Sequence, residues 1–240
     1  MSATITDQDQ QQPGDLQVFD NLVQGTDEWL QARCGIITAS VVGQFITPKT
    51  VKVAANDCSR ALTASLVAER ITGHVEPIYV SADMERGTLD EPYARDIYSE
   101  HYAPAHEIGF MTRQFGTYRI GYSPDGLVGE DGLIEIKSRR QKKHLTTILA
   151  DEVPLENMAQ IQCGLLVSGR QWCDYVSYCG GMPLYVKRVL PDPKWQQAIL
   201  EAANTFEDTA QIMIGNYRIQ TAGKPNTKRI DHYPEIEIGF

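Results

Sequence analysis

Cysteine is scarce in this 240-residue chain and shows no pairing pattern: the five residues, at 34, 58, 163, 173 and 179, are odd in number and include no Cys-x-x-Cys. This excludes a disulfide framework, a zinc ribbon and the clustered thiolates of an iron-sulfur site. Reduced thiols, mostly in the core, are expected instead. Histidine is equally sparse, with five dispersed residues that offer no ligand spacing. No apolar run approaches the roughly 18 residues needed to cross a bilayer. The first twenty residues, MSATITDQDQQQPGDLQVFD, lack the basic start and apolar core of a signal peptide. No membrane association and a cytoplasmic location are therefore expected.

Positive charge is also short, with 22 Lys and Arg against 31 Asp and Glu and a net charge of −9. Such a balance argues against an average surface that holds a polyanion. The shortage is uneven, because Lys137-Ser-Arg-Arg-Gln-Lys-Lys143 places five cations in seven positions. Taken alone, a run of this kind is more often a solvated face than a binding site.

The 42% hydrophobic content suits one well-cored domain. Residues 1–20, rich in Gln and Asp and without periodicity, read as a disordered lead. Residues 21–215 read as a folded domain and 216–240 as an irregular tail. Within the domain, Thr26 caps a helix through Arg33, and a second helix starts near Thr38 or Ser40. Residues 54–71 form a third helix, ended by Thr72-Gly73. Another covers 91–101 with Tyr93, Ala94, Ile97, Tyr98 and His101 on its buried side; Pro92 either fits its first turn or interrupts a longer helix begun near Asp83. Strands are expected at 106–113, 117–123, 132–138, 171–179 and 184–190, with helices at 142–150, 154–168 and 192–215. This order gives an α/β domain with a mixed central sheet flanked by helices.

Three charges stand out in an apolar β pattern. In Leu133-Ile-Glu-Ile-Lys137 the period of two turns Ile134 and Ile136 to one face and Glu135 and Lys137 to the other. Asp125 lies between Pro124 and Gly126, where the preceding strand gives way to a turn. If the strand ending at Ser123 is the antiparallel neighbour of 132–138, Asp125 and Glu135 converge. Their repulsion is relieved by a hard divalent cation such as Mg²⁺, and a lysine at the same place can orient water and stabilise charge on a phosphate. A solvated Glu-x-Lys face after an Asp-Gly turn is the plainer alternative.

Further motifs narrow the choice. Ser123-Pro-Asp-Gly-Leu127 followed by Gly132-Leu-Ile-Glu-Ile-Lys137 resembles the PD-(D/E)xK, restriction-endonuclease-like core, specifically the lambda exonuclease type of alkaline exonuclease, also called the YqaJ viral recombinase group. Trp29-Leu-Gln-Ala-Arg-Cys-Gly-Ile-Ile-Thr-Ala-Ser40, Gly87-Thr-Leu-Asp-Glu91 and Met158-Ala-Gln-Ile-Gln162 are similar to three more segments of that family, in the same order. The resemblance departs at Ser138-Arg139-Arg140, where the family places a small or Cys-Pro step.

The resemblance implies an exonuclease domain over 21–215. It makes Asp125, Glu135, Glu91 and the carbonyl of Ile136 ligands of two Mg²⁺ ions, with Mn²⁺ as a substitute, and Lys137 the water-activating residue. Glu91 would precede the helix carrying Ala94 and Tyr98, and Gln160 would position the scissile phosphate or the nucleophile. Arg33 and Ser40 would hold a terminal 5′ phosphate, and Arg139, Arg140, Lys142 and Lys143 the DNA backbone. The implied activity is 5′-to-3′ digestion of one strand of linear duplex DNA, leaving a 3′ single strand for annealing. The implied partners are a single-strand annealing protein and two further copies in a homotrimeric ring, in a bacterial host if the chain is phage-encoded. An endonuclease on the same core and a non-catalytic DNA-binding or annealing module are the alternatives. In the tail, Lys224, Lys228 and Arg229 precede Ile236, Ile238 and Phe240, which alternate as in an added strand.

Overall fold

The computed structural model describes residues 13–77 and 79–230. Strand β1 (Pro13–Phe19) leads to α1 (Asp27–Arg33), β2 (Ile37–Thr38) and α2 (Ala39–Val42), whose helical path continues as a 3₁₀ turn to Phe45. A small hairpin of β3 (Ile46–Thr47) and β4 (Lys52–Val53) precedes α3 (Asp57–Thr72) and α4 (Ala82–His101). Next come β5 (Ala105–His106), β6 (Phe110–Phe115), β7 (Tyr118–Tyr122), β8 (Gly126–Val128) and β9 (Gly132–Ser138). The chain continues through α5 (Gln141–Ala150), α6 (Leu155–Ser168), β10 (Trp172–Tyr178), β11 (Tyr185–Val189) and α7 (Pro193–Thr221).

Local chemistry sets the helix boundaries. Thr26 accepts the Trp29 N–H at the start of α1, Asn56 and Ser59 form a reciprocal capping box on α3, and Gly73 ends α3 in the left-handed region. Helix α4 starts at the Ser81 cap and carries Pro92 in its interior, so the longer of the two expected helices forms. Only Ala94 and Tyr98 of α4 are fully buried; Tyr93 is 65% exposed and His101 is exposed, which corrects the wider buried face expected.

The α/β architecture has mixed sheets with helices packed on them, and its strands are distributed over two main sheets. One has the order β1-β6-β7-β2 and the other β11-β10-β9-β8-β5. In the second, β9 runs parallel to β10 and antiparallel to β8. Thus β7 and β9 are not neighbours, and the expected hairpin between them does not form. The chain leaves the first sheet after Tyr122, turns through Ser123-Pro124-Asp125, and enters the second as β8. The pairing of Gly126 with Ile134 then brings Asp125 to Glu135. Gly126 permits that approach, since a Cβ there would lie 2.9 Å from Ile134 Cγ1 and Cδ1.

Strand β9 is covered on both faces. Ile134 and Ile136 pack with Ala94 and Tyr98 beneath α4, while Leu133 joins the larger core with Tyr175, Ile161 and Ile199. Glu135, on the Leu133 side, is fully buried rather than standing on an open polar face. Cys163, Cys173 and Cys179 are buried free thiols, as expected, and Cys58 is exposed.

Two boundaries differ from those expected. Residues 13–19 of the lead are the edge strand β1, antiparallel to β6 with Val18 opposite Met111. Its bonds are main-chain bonds and Leu16, Val18 and Phe19 stay partly exposed, so composition carries little sign of it. Helix α7 runs to Thr221 and takes in the start of the tail. Lys224, Lys228 and Arg229 lie in irregular chain, and residues 1–12 and 231–240, including Ile236, Ile238 and Phe240, lie outside the described residues. Among the described residues no helix is long and apolar enough to cross a membrane.

Candidate active site

Asp125 follows the crossover between the sheets, and its Oδ2 accepts the Ile136 N–H at 2.6 Å, which fixes the turn to β9. One register step along β9, Lys137 Nζ lies 2.5 Å from Glu135 Oε1. The approach is an ion pair rather than an aligned hydrogen bond, and neither Glu135 oxygen has a hydrogen-bond partner among the described residues. Glu91 comes from the interior of α4, not from before it, and Arg95 one turn on holds it at 2.6 Å.

These carboxylates are electrostatically crowded. Burial pushes Glu91 up to about 7, with Asp125 adding to the shift and Arg95 opposing it. Burial likewise raises Glu135 well above the carboxylate range, against Lys137 and with Asp125. Asp125 is raised by burial, opposed by Lys137, the Ile136 amide and Arg95. Burial disfavours the Lys137 ammonium, yet Glu135 and Asp125 outweigh it and hold its pKa above the usual lysine value.

Such a donor set fits a hard divalent cation. Glu135 Oε1 faces only the Lys137 ammonium and Oε2 has no donor among the described residues, and the carboxylates repel one another in a low-dielectric site, a cost that a cation removes. Among the described residues no three His, Cys, Asp or Glu side chains already surround one point. Lys137 and Arg95 balance the acids instead.

A second cluster faces the first. Arg33 Nη2 lies 3.1 Å from both Thr38 Oγ1 and Ser40 Oγ, and the two hydroxyls are 3.1 Å apart. The Arg33 guanidinium stacks 4.0 Å over the Trp29 ring, whose Nε1 donates to Ser123 Oγ at 3.0 Å. The stack and the two hydroxyls set the plane of the guanidinium. Arg33, Ser40, Glu91, Asp125, Ile136, Lys137 and Gln160 all line one cleft of about 480 Å³, with Glu135 buried behind it. Thr38, Tyr122 and Ser123 line it too, and sequence reasoning gave them no role. Thr38 and Ser123 do occur within the quoted motifs, which was the available signal. Of the two glutamines of α6, Gln160 faces the cleft, whereas Gln162 bonds Leu190 O and Asp192 N and ties α6 to α7.

The basic run borders a neighbouring cleft of about 600 Å³ that shares Asp83, Met84 and Ser138 with the first. Its cations are largely engaged. Arg139 donates to Asn157 Oδ1 at 2.6 Å, Arg140 pairs with Asp83 at 2.9 Å, and Lys143 pairs with Glu156. Lys142 is exposed with no ion pair among the described residues.

The model of the YqaJ-like viral recombinase domain matches residues 28–171, a span that contains every residue of the two facing clusters. The alkaline exonuclease LHK-Exo from Laribacter hongkongensis is 32% identical, with 82% of this chain and 98% of that one covered and a TM-score of 0.72. The same enzyme in complex with dAMP gives 33% identity, the same coverage and a TM-score of 0.71. A phage-related exonuclease from Haemophilus somnus 129PT shares the fold at 10% identity, over 76% of this chain and 96% of that one, with a TM-score of 0.58. No curated protein sequence matches the chain. With the family model spanning both clusters and LHK-Exo aligned over most of both chains, the chain belongs to the YqaJ-like viral recombinase family.

Proposed function

We propose that this protein is a Mg²⁺-dependent exonuclease that digests the 5′-ended strand of linear duplex DNA and leaves a 3′ overhang for strand annealing. One observation carries the reading: Asp125 and Lys137, with Glu135 buried behind them, line a single cleft with Arg33 and Ser40. Chemistry on a phosphodiester and recognition of a phosphate at a chain end are thereby within one nucleotide's reach. The relative's dAMP complex supports a nucleotide as the occupant.

Asp125, Glu135, Glu91 and the Ile136 carbonyl would hold two Mg²⁺ ions, with Mn²⁺ accepted. When bound, such ions supply Lewis-acid stabilisation of phosphate charge and lower the pKa of water. The protein's own groups do the rest. Lys137 stays protonated beside Glu135 and stabilises the charge that develops on the phosphoryl oxygens. Gln160 orients the scissile phosphate from α6. Arg33 and Ser40, supported by Thr38 and Ser123, hold the terminal 5′ phosphate, with Arg33 presenting a bidentate fork. Water attacks the next phosphorus, the bond to the 3′ oxygen of the terminal nucleotide breaks, and that oxygen takes up a proton. A 5′-mononucleotide leaves, and the shortened strand carries a new 5′ phosphate for the same pocket.

Arg139, Arg140, Lys142 and Lys143 would follow the backbone along the adjoining cleft. A cytoplasmic homotrimeric ring handing its 3′ strand to an annealing protein completes the reading, since a ring concentrates these cations around DNA while the outer surface stays acidic. An endonuclease on the same core would have no use for the Arg33 cluster, and a non-catalytic module none for Lys137 beside two carboxylates. The test is turnover of 5′-phosphorylated linear, 5′-hydroxyl linear and covalently closed circular duplex, with and without Mg²⁺. Mg²⁺-dependent release of mononucleotides from the phosphorylated end is expected. Cleavage of the circle at a comparable rate would establish the endonuclease instead.

A further inference from the structure

The Arg33 cluster is assembled across a turn. Arg33 ends α1, whereas Thr38 and Ser40, the hydroxyls to which it donates, lie beyond Cys34-Gly35-Ile36. Any opening of that turn parts the guanidinium from the hydroxyls. Its own main-chain bonds are long, from Cys34 N–H to Gln31 O at 3.2 Å and from Ile36 N–H to Arg33 O at 3.3 Å. The seven-residue α1 is too short to be rigid by itself.

Two charged side chains of the last turn of α3 grip the turn instead. Gly35 N–H donates to Glu69 Oε2 at 2.7 Å, and Gly35 O accepts from Arg70 Nε at 2.6 Å. Gly35 has a φ of +68°, and a Cβ there would stand 2.4 Å from Arg70 Cγ, so glycine is what lets the two elements come this close. Arg70 is itself held from α7. Its Nη1 and Nη2 donate to the two Glu207 oxygens at 2.7 and 2.5 Å, and its guanidinium lies 4.8 Å over the Phe206 ring. Both charged groups are mostly buried, Arg70 at 24% and Glu207 at 15% exposure. Apolar packing would fasten two helices with less desolvation cost. A planar fork held on two edges fixes direction as well as distance. Glu69, Arg70 and Glu207 do not line the active-site cleft, so their effect on it passes through Gly35.

Resting on the 5′-phosphate reading of the Arg33 cluster, we propose that Arg70, braced by Glu207 and paired with Glu69 across Gly35, is a positioning residue that sets Arg33 against Ser40 for a terminal phosphate. Selectivity for a phosphorylated end is then governed from α3 and α7, at residues that never meet the DNA.

The test uses the full chain with Arg70→Lys, with Glu207→Gln, and with Arg70→Lys added to Arg33→Ala. Rates are taken on 5′-phosphorylated and 5′-hydroxyl linear duplex, beside thermal unfolding. Lysine keeps the charge but cannot bond Gly35 and both Glu207 oxygens together, so Arg70→Lys should lower kcat/KM on the phosphorylated end about tenfold and leave the hydroxyl end within about twofold. Glu207→Gln should give a smaller loss of the same kind. Where Arg33 is already alanine, Arg70→Lys should cost nothing further, because the two residues act in series. An unchanged end preference would overturn the proposal, as would equal losses on both ends or a full further loss in the absence of Arg33, either of which marks Arg70 as a fastening of the fold alone. Should Arg70→Lys melt below the assay temperature, Glu207→Gln decides by the same criteria. If the unaltered chain shows no preference for a phosphorylated end, the 5′-phosphate reading itself fails, and calorimetry with inorganic phosphate then judges Arg70. Weaker phosphate binding in Glu207→Gln than in the unaltered chain upholds the brace; equal binding, or none to the unaltered chain, overturns it.

Discussion

At Glu135 a carboxylate is buried completely, with an ammonium beside it and a second carboxylate nearby. The fold bears that cost because the residue shares a strand face with Leu133, whose packing carries β9 into the core. Glu135→Gln should abolish turnover, by on the order of a thousand-fold or more, without lowering the melting temperature, since a buried charge is replaced by a neutral isostere. Activity within a few-fold of the unaltered chain would remove Glu135 from the chemistry. Arg33→Ala should act differently, erasing the preference for a 5′-phosphorylated over a 5′-hydroxyl end while internal duplex binds as before. Equal losses on both ends would mark Arg33 as a residue that seats only Trp29. Glu135 and Lys137 were legible as one strand face because the two-residue period places them by a local rule; Asp125 was legible as a turn residue, but its approach to Glu135 comes from β8 rather than from the hairpin expected. Ser123 was not, because its hydroxyl gains its meaning only when Trp29 arrives from 94 residues away, and Thr38, five residues from Arg33, read only as a helix start.

Among the elements, the three-residue strand β8 does more than its length suggests. It carries the chain from one sheet to the other and sets Asp125 against the Ile136 amide. Gly126→Ala would drive a methyl group into Ile134, and β8 should shift away from β9 by a few tenths of an ångström. The expected destabilisation is about 1–3 kcal/mol, with a larger proportional loss in kcat than in folded protein at assay temperature; activity that simply tracks the folded fraction would show that β8 does not set the geometry. Helices of strong pattern, α1, α3, α5 and α6, were legible to within a few residues. The edge strand β1 was not, since its bonds are backbone bonds that any sequence can make. The partition of strands between two sheets was hidden for a related reason: alternation shows that a residue faces a core, not which core.

For the molecule as a whole, the raised carboxylates couple folding to pH and, on the proposed reading, to divalent cations. Glu91 and Glu135 have folded-state pKa values above the ordinary glutamate value, so their contribution to stability is full below about pH 4 and is lost as pH rises through about 7 and beyond. Lys137 is raised above an already high value and leaves this window flat. The lowered acids Asp83, Asp151 and Glu156 act only at the acid end. Without divalent cations the melting temperature should therefore fall between pH 5 and pH 8, and the increment from added Mg²⁺ should grow over the same interval, because the cation competes with protons for the same oxygens. Scanning calorimetry with and without Mg²⁺ checks both trends, and an increment independent of pH would separate the cation from these carboxylates.

The internal pairing of the basic groove has a thermodynamic result of its own. Association with DNA gains much of its free energy from the ions that phosphates and cations shed into solution. On the proposed reading, a phosphate that reached Arg140 or Lys143 would displace Asp83 or Glu156, and each freed carboxylate would take an ion back up, whereas at Arg139 only the neutral Asn157 amide would be displaced. Plotted as log affinity against log salt, the groove should show a slope nearer about −2 than the roughly −4 that four unencumbered cations would give. On that reading each displaced acid would stay within reach to reclaim its cation as a duplex advanced, and the groove would let go of one phosphate as readily as it took up the next.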